Sequence, residues 1–441
     1  MVDFLYINHV KKGKIMMKHA AKKSIILLLL SQTIIQAIDN PHFWRATNFL
    51  SQFYEPRFAY NWLSSLDVYV GAGSSSTGRD FNGHKVPLLD IYGTLNAQAL
   101  GINVPGKDMS NPGDLVMTQL TILPANDGFA HLSFGGKFKL IEANFCYSQN
   151  FGCGFFLQAH IPVRRMEITN IKQTDLSPID CENGPNIDTP AWQSFLALFP
   201  SILNKYQLSI APFKKTGVGD LSILCGWTNN YEETQEIDYF DSTFRFGVLF
   251  PTGRKKDIDV AFDIANGYDG FYAIPIAFDA AAGWYDWFTL GIHIGTMPFL
   301  KDSRLARLKT DSNQAGFIKL AVGRASIHPG TIWEANAYMI ADHVLCGLSF
   351  LAGYSFATQN KWYVSPEDSV LFPENIVNSD EQFLGWKMHT INLMLDYDFA
   401  TYDHPWYPHL GFFYNIVIGG ERIFNTNVGG IEFGVNIGCN F

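Results

Sequence analysis

Over the last fourteen residues, large apolar side chains fall on every second position: Ile431, Phe433, Val435, Ile437, Cys439 and Phe441. Gly430, Glu432, Gly434, Asn436, Gly438 and Asn440 stand between them. Successive side chains of a strand point to opposite faces, so this pattern predicts a strand with one apolar face and one polar or very small face. The alternation recurs upstream. Ile391, Leu393, Leu395 and Tyr397 alternate with Thr390, Asn392, Asp396 and Asp398, and Leu410, Phe412, Tyr414 and Ile416 alternate with Gly411, Phe413 and Asn415. Leu348, Phe350 and Tyr354 interleave with Ser349, Gly353 and Ser355, and Leu221, Ile223, Cys225 and Trp227 with Ser222, Gly226 and Thr228. Each stretch has the length of a tilted membrane strand, about 9–11 residues. Further strands are expected near 66–75, 86–98, 114–122, 131–148, 153–170, 239–250, 271–284, 288–298 and 331–340. Two of these strands share a start, Gly113-Asp114-Leu115 and Gly219-Asp220-Leu221. The expectation is an all-β, antiparallel transmembrane barrel of about 14 strands, within a range of roughly 12–16.

The links between strands carry a second pattern. Short links are expected at 149–152, 285–287 and 341–343, with somewhat longer ones at 231–238 and 401–406. Long links are expected at 171–216, 252–270, 299–330 and 360–385. If the last strand runs inward from the outer face, every long link falls outside and these short links fall inside. That is the parity of an outer-membrane barrel, with short periplasmic turns and long extracellular loops.

The N-terminal end has a different character. Lys18, Lys22 and Lys23 precede the run Ile25 to Leu30, and the segment closes near Gln36-Ala37. A basic region, a short apolar run and a small residue describe a signal peptide over 1–37, with Met16 or Met17 a more natural start than Met1. The apolar run is short for a spanning helix. Asn40-Pro41 then reads as a helix start, and an aromatic-rich helical or periplasmic segment is expected over 38–64, before a barrel over 65–441. Within the longest link, Thr189-Pro190 predicts a helix with Trp192, Phe195, Leu196, Phe199 and Leu203 on one stripe, kinked or ended by Pro200.

Composition narrows the class. Aromatic residues make up 15 % and charged residues only 17 %, while mean hydropathy is +0.02. Alternation reconciles these, because one face of each strand is apolar and the other polar. Formal net charge is −9. Removing residues 1–37 takes away six lysines and one aspartate and leaves 26 basic and 40 acidic residues. An exported acidic chain is a poor partner for nucleic acid. The six cysteines show no metal-ligand spacing, and Cys146 and Cys153 point to opposite faces of their strands. Catalytic motifs of the HExxH, GxSxG and phosphate-loop kinds are missing. His389, near the outer rim, is the one position suited to a hydrolase role, and an interfacial histidine is its plainer reading. The basic stretch Lys301, Arg304, Arg307 and Lys309 reads as a solvated loop or a contact for anionic lipid headgroups.

The terminal Phe441, the alternation, the loop parity and the leader segment together resemble Gram-negative outer-membrane β-barrel proteins over nearly all of the mature length. The strand number, the aromatic N-terminal segment and the repeated Gly-Asp-Leu start make the architecture similar to the long-chain fatty-acid transporter group. No residue motif carries that group's ligand site onto this sequence. The resemblance implies an outer-membrane location, lipid and the barrel assembly machinery as partners, and Phe433, Val435, Ile437 and Phe441 as a membrane-insertion signal. On the polar phase stand Glu142, Asn144, Gln158, His160, Asp279, His293, Glu334, Asn336, Asn392, Asp396, Asp398, Asn415, Glu432 and Asn436. Carboxylates facing lipid at mid-membrane would cost several kcal/mol, so this phase is expected to line the lumen. An open acidic lumen would favour cations; the alternative is an interior closed by its own side chains. The functional expectation is a porin-like channel or transporter for small solutes, hydrophobic ones included. A surface-interaction barrel is the alternative, and an enzyme comes last. Neither a cofactor nor a metal is expected.

Overall fold

The computed structural model describes residues 62–439, apart from 125–127, 183, 233–236, 286, 346 and 400–405. The leader segment 1–37, the expected helical segment up to residue 61, His404 and Phe441 lie outside the described residues. Twelve strands close into a ring. They are β1 Trp62–Ser75, β2 His131–Gly152, β3 Phe155–Asp175, β4 Leu221–Glu232, β5 Tyr239–Phe250, β6 Ile276–Trp284, β7 Phe288–Met297, β8 Ile332–Leu345, β9 Leu348–Gln359, β10 Trp386–Asp398, β11 Trp406–Glu421 and β12 Asn427–Cys439. Each pairs antiparallel with the next in sequence, and β12 returns to pair with β1 through registers such as Tyr69↔Glu432 and Asp67↔Gly434. Two further strands, Leu95–Asn96 and Phe213–Val218, attach to β2 and β3 outside the ring. No described helix is long and apolar enough to cross a membrane.

The ring wears its apolar phase outward. Phe433 is 49 % exposed while its neighbour Glu432 is 0 % exposed. Leu66, Phe145, Ile161, Trp227, Phe246 and Phe278 continue the exposed apolar belt around one half of the ring. Ile292, Met339, Phe350, Leu395 and Phe412 complete it. In a closed ring the buried phase is the interior, so the usual inside–outside polarity is inverted. At one end the strands are joined by tight turns. Cys153 and Gly154 connect β2 to β3 with φ of 52° and 86°, the left-handed pair that a two-residue hairpin turn requires. Exposed aromatics gather at this end, including Phe151, Tyr231, Tyr285, Trp287 and Trp406, as in the interfacial girdle of membrane barrels.

At the other end, the connecting segments fold over one another. Residues 76–130 leave β1 and enter β2, and this corrects the sequence reading. The segments 86–98 and 114–122 are not ring strands. The first contains Lys85–Pro87, a single 3-10 turn Leu88–Asp90, Leu95–Asn96 and helix α1 Ala97–Leu100; the second is helix α2 Pro112–Thr121. Gly113-Asp114-Leu115 therefore opens a helix rather than a strand. Asn111 caps it by accepting from the Gly113 and Asp114 amides, and Pro112 sits in its first turn. Gly113, Val116, Met117 and Leu120 are its buried positions, spaced by three and four residues. The expected loop helix, α3 Pro190–Lys205, packs against α2, with Ile202 over Gly113. Asp114, buried between them, takes an ion pair from Lys205 and hydrogen bonds from Tyr206 Oη at 3.0 Å and the Asp108 amide at 2.6 Å.

The hydrophobic core of the chain lies in this cap. Leu88, Ile91, Leu100, Met117, Phe129, Trp192, Phe195 and Phe199 join Phe138, Ile168 and Met388 on the inner rim of the ring. Asp90 ties cap to ring by accepting from the Phe134 amide at 2.8 Å and from Ser133 Oγ. Asp220, just before β4, anchors the segment 251–275 by accepting from the amides of Gly253 at 2.8 Å and Tyr268 at 2.6 Å.

Inside the ring, small residues make room for large ones. A Cβ on Gly291 of β7 would collide with the Tyr338 ring of β8, its cross-strand partner. Gly291→Ala is expected to cost about 1–3 kcal/mol by overpacking and to lower the unfolding temperature in detergent. The double variant Gly291→Ala, Tyr338→Leu should recover part of that loss. An unchanged unfolding temperature in the single variant would refute the packing described.

Candidate functional site

The ring interior is polar and occupied. Arg164 of β3 pairs with Glu142 of β2 at 3.2 Å and donates to the backbone oxygen of Asn266 at 2.7 Å, so the segment 251–275 reaches down into the ring. Arg245 of β5 stands 3.0 Å from Asp279 of β6, whose other oxygen is 2.6 Å from Nδ1 of His293 on β7. Asn392 of β10 donates to Ser355 of β9 at 2.6 Å. His409 of β11 lies between Asp67 of β1 and Glu432 of β12, at 3.2 and 3.4 Å. The sequence-derived positions Glu142, Asn144, His160, Asp279, His293, Glu334, Asn336, Asn392, Asp396, Asp398 and Asn415 are all buried. Asp279 and His293 meet directly, whereas Glu142 pairs with an arginine that the sequence reading left out. Arg164, Arg245, Asp67 and His409 were missed because their partners are remote in sequence. The signal that could have found them is the same inward phase, occupied by a charged or titratable side chain.

His389 sits on the outer face of β10, where its Nδ1 is 2.6 Å from the Tyr354 hydroxyl and its ring lies 5.0 Å from that of Phe356. Cys146 is buried and Cys153 exposed.

Above the polar interior, the cap encloses a cavity of about 370 Å³. Its walls come from the segments between β5 and β6, β7 and β8, and β9 and β10, together with Tyr92. Its floor is the ring's own rim: Ile332 opens β8, Gln359 closes β9 and Trp386 opens β10. Trp386 Nε1 donates to Gln359 at 2.8 Å, and Gln359 donates to the Gly330 oxygen at 2.9 Å, which fixes that floor. The walls are aromatic. Tyr92 packs on Phe317 at 4.8 Å, Tyr268 on Phe299 at 5.2 Å, Phe271 on Trp362 at 5.9 Å and Trp362 on Phe383 at 6.1 Å.

Four cations share these walls: Lys255, Lys256, Arg304 and Arg307. Arg304 lies 4.0 Å above the Phe271 ring and 3.1 Å from Asp269. Arg307 is spent on backbone oxygens, including Leu320 at 3.0 Å and Gln207 at 2.8 Å, and on Asp259 at 3.3 Å. Two of the basic residues noted in the sequence thus line the cavity. Lys255 reaches Asp302 at 3.8 Å. Lys256 differs. Among the described residues its Nζ has no hydrogen-bond or ion-pair partner, and it stands 6.0 Å from the Phe317 ring. Burial depresses its pKa below the ordinary lysine value, against the pull of Asp269 and Asp263.

No family model matches this sequence, and no curated protein matches it. The fold is similar to solved outer-membrane β-barrels. The COG4313 outer membrane channel from Pseudomonas putida F1 aligns over 87 % of this chain and 98 % of its own, with 9 % identity and a TM-score of 0.41. A FadL homologue of Pseudomonas aeruginosa aligns over 92 % and 97 %, with 10 % identity and a TM-score of 0.32. The toluene transporter TodX of Pseudomonas putida aligns over 94 % and 98 %, with 11 % identity and a TM-score of 0.30.

A lysine with a depressed pKa is neutral, and so nucleophilic, at a lower pH than its neighbours. Amine labelling of the folded chain between about pH 8 and 9 is expected to modify Lys256 ahead of Lys255 when reagent is small enough to enter the cavity. Equal labelling rates across that range would contradict the burial assigned to Lys256.

Proposed function

We propose that this chain is an outer-membrane barrel that admits small hydrophobic or amphipathic solutes through the cavity in its cap. The observation that carries the reading is the cavity itself, walled by aromatic rings and floored by the rim of the ring. Ligand sites are concave and mostly apolar with few polar groups, and cavities of about 300–1,000 Å³ are typical. Lys256 supplies one such group, placed to meet the polar or anionic end of an amphipathic solute. The exposed apolar belt suits lipid, and the end bearing the folded cap faces outward if the usual asymmetry of loop lengths holds. In the same reading, the segment 1–37 exports the chain and the barrel assembly machinery inserts it. Phe433 and Ile437, both exposed on β12, would present the insertion signal.

The interior supports a gated rather than a freely open path. Residues such as Glu142, Arg164, Arg245, Asp279, His409 and Glu432 are buried within it. Passage requires those side chains, or the segment 251–275 that reaches in among them, to move. The same packing favours a second reading, a non-conducting barrel whose cap works at the surface.

Fluorescence titration of the folded chain with 1-anilinonaphthalene-8-sulfonate separates the two. Saturable binding is expected, weakened about tenfold or more, roughly 1.4 kcal/mol, by Ala261→Trp, which fills the cavity. Lys256→Met should weaken this anionic probe and spare neutral N-phenylnaphthylamine. Binding that never saturates, or that Ala261→Trp leaves unchanged, would sink the cavity as the entry site. In a planar bilayer, the packed interior predicts no stable conductance steps from the chain alone. Steady cation-selective steps would instead favour an open acidic lumen through Asp279, Glu334 and Asp396.

A further inference from the structure

The group formed by Asp67, His409 and Glu432 has no part in the cavity. Asp67 of β1 and His409 of β11 both stand opposite Gly434 of β12, one from each side. A Cβ at Gly434 would collide with both side chains, so the missing side chain is what lets them meet. His409 Nε2 is 3.2 Å from Asp67 Oδ1 and 3.4 Å from Glu432 Oε1, and one ligand atom from each residue falls within a 4.8 Å sphere of mutual distance.

A second observation points to a missing partner. Among the described residues, Glu432 Oε2 and Asp396 Oδ1 have no hydrogen-bond partner, although Glu432 is 0 % and Asp396 8 % exposed. The two oxygens face the same spot above Gly411, where a Cβ would lie 2.8 and 3.3 Å from them. Two carboxyl groups thus meet one imidazole, with Asp396 and the Tyr69 hydroxyl beside Glu432.

We propose that Asp67, His409 and Glu432 form a binding site for a divalent first-row metal ion, with Asp396 on the far side of Glu432. Metal–nitrogen and metal–oxygen bonds of about 2.0–2.2 Å at a tetrahedral angle set ligand atoms roughly 3.3–3.6 Å apart. The Glu432 distance of 3.4 Å lies at that edge length and the Asp67 distance of 3.2 Å just below it, before any ion is added. Ser65 Oγ donates to Asp67 Oδ2 at 2.7 Å and so orients the carboxylate, the outer-shell support such ligands usually have. One imidazole with carboxylates suits Zn²⁺ or Mn²⁺. Bound there, the ion staples β11, β12 and β1, the strands at which the ring closes. The site stands whether or not the chain takes up solutes.

The test is metal content and thermal unfolding of the full-length folded chain in detergent, stripped with EDTA and then given Zn²⁺ or Mn²⁺ alone. We expect one ion per chain after desalting, with a raised unfolding temperature. His409→Gln should lose both effects, and Asp279→Asn, in a separate polar group of the interior, should keep them. Failure of the stripped chain to retain either ion overturns the proposal and leaves His409 as a bridge between the carboxyl groups of Asp67 and Glu432. Retention by a folded His409→Gln chain overturns it too. Should His409→Gln not fold, the visible spectrum of the Co²⁺-loaded wild type decides: four-coordinate bands support the site, and the spectrum of hydrated Co²⁺ rejects it.

Discussion

A backbone amide or carbonyl left unpaired in lipid costs several kcal/mol, and the structure answers to that one constraint. Twelve strands in antiparallel succession leave two edges, and the pairing of β12 with β1 removes both. Closure then dictates polarity. A face turned to lipid must be apolar, so the alternating polar residues have only the interior to occupy. The result is a ring whose exposed belt is rich in phenylalanine, leucine and isoleucine and whose buried phase holds arginine, histidine and carboxylates among smaller polar and apolar residues.

The interior in turn must satisfy itself. Charges taken out of water are tolerated when paired, and breaking such a pair costs about 3–5 kcal/mol. Arg164 with Glu142, and Arg245 with Asp279 and His293, are pairs of this kind. Among the described residues, the group around His409 gathers the carboxyl groups of Asp67 and Glu432 on one imidazole. Apolar burial has been moved elsewhere, into the cap that 76–130, 176–220 and the later long segments build over one end. The aromatic cavity belongs to that cap. Polar ring and apolar cap therefore divide the labour that a soluble domain gives to one core.

Much of the ring was legible because each of its strands shows two faces at once. Ile391, Leu393 and Leu395 against Asn392, Asp396 and Asp398 need no partner to be read as a strand. The cap was not legible in that way. Residues 86–98 are buried on several sides, so alternation there reports nothing, and they were counted as a strand. Residues 114–122 were misread although Asn111-Pro112 is a helix start and Gly113, Val116, Met117 and Leu120 keep a helical spacing. Their apolar content outweighed their period. The inward phase of the candidate site was readable residue by residue, yet its pairings were not. Asp67 meets His409 only because closure brings the two ends of the chain together. The cavity was out of reach for the same reason, since its walls come from four segments whose folding over one another leaves no periodic trace.

Accessibility along β10 tests the inversion of polarity most directly. Spin labels placed singly at residues 391 to 396 of the folded chain in lipid vesicles would be read by collision with oxygen, which concentrates in the bilayer, and with a water-soluble nickel complex. The account predicts strong oxygen contact at 391, 393 and 395, and little contact with either agent at 392, 394 and 396, where the interior is packed. Uniform contact along the strand, or nickel contact at 391, 393 and 395, would contradict a closed ring with its apolar face in lipid.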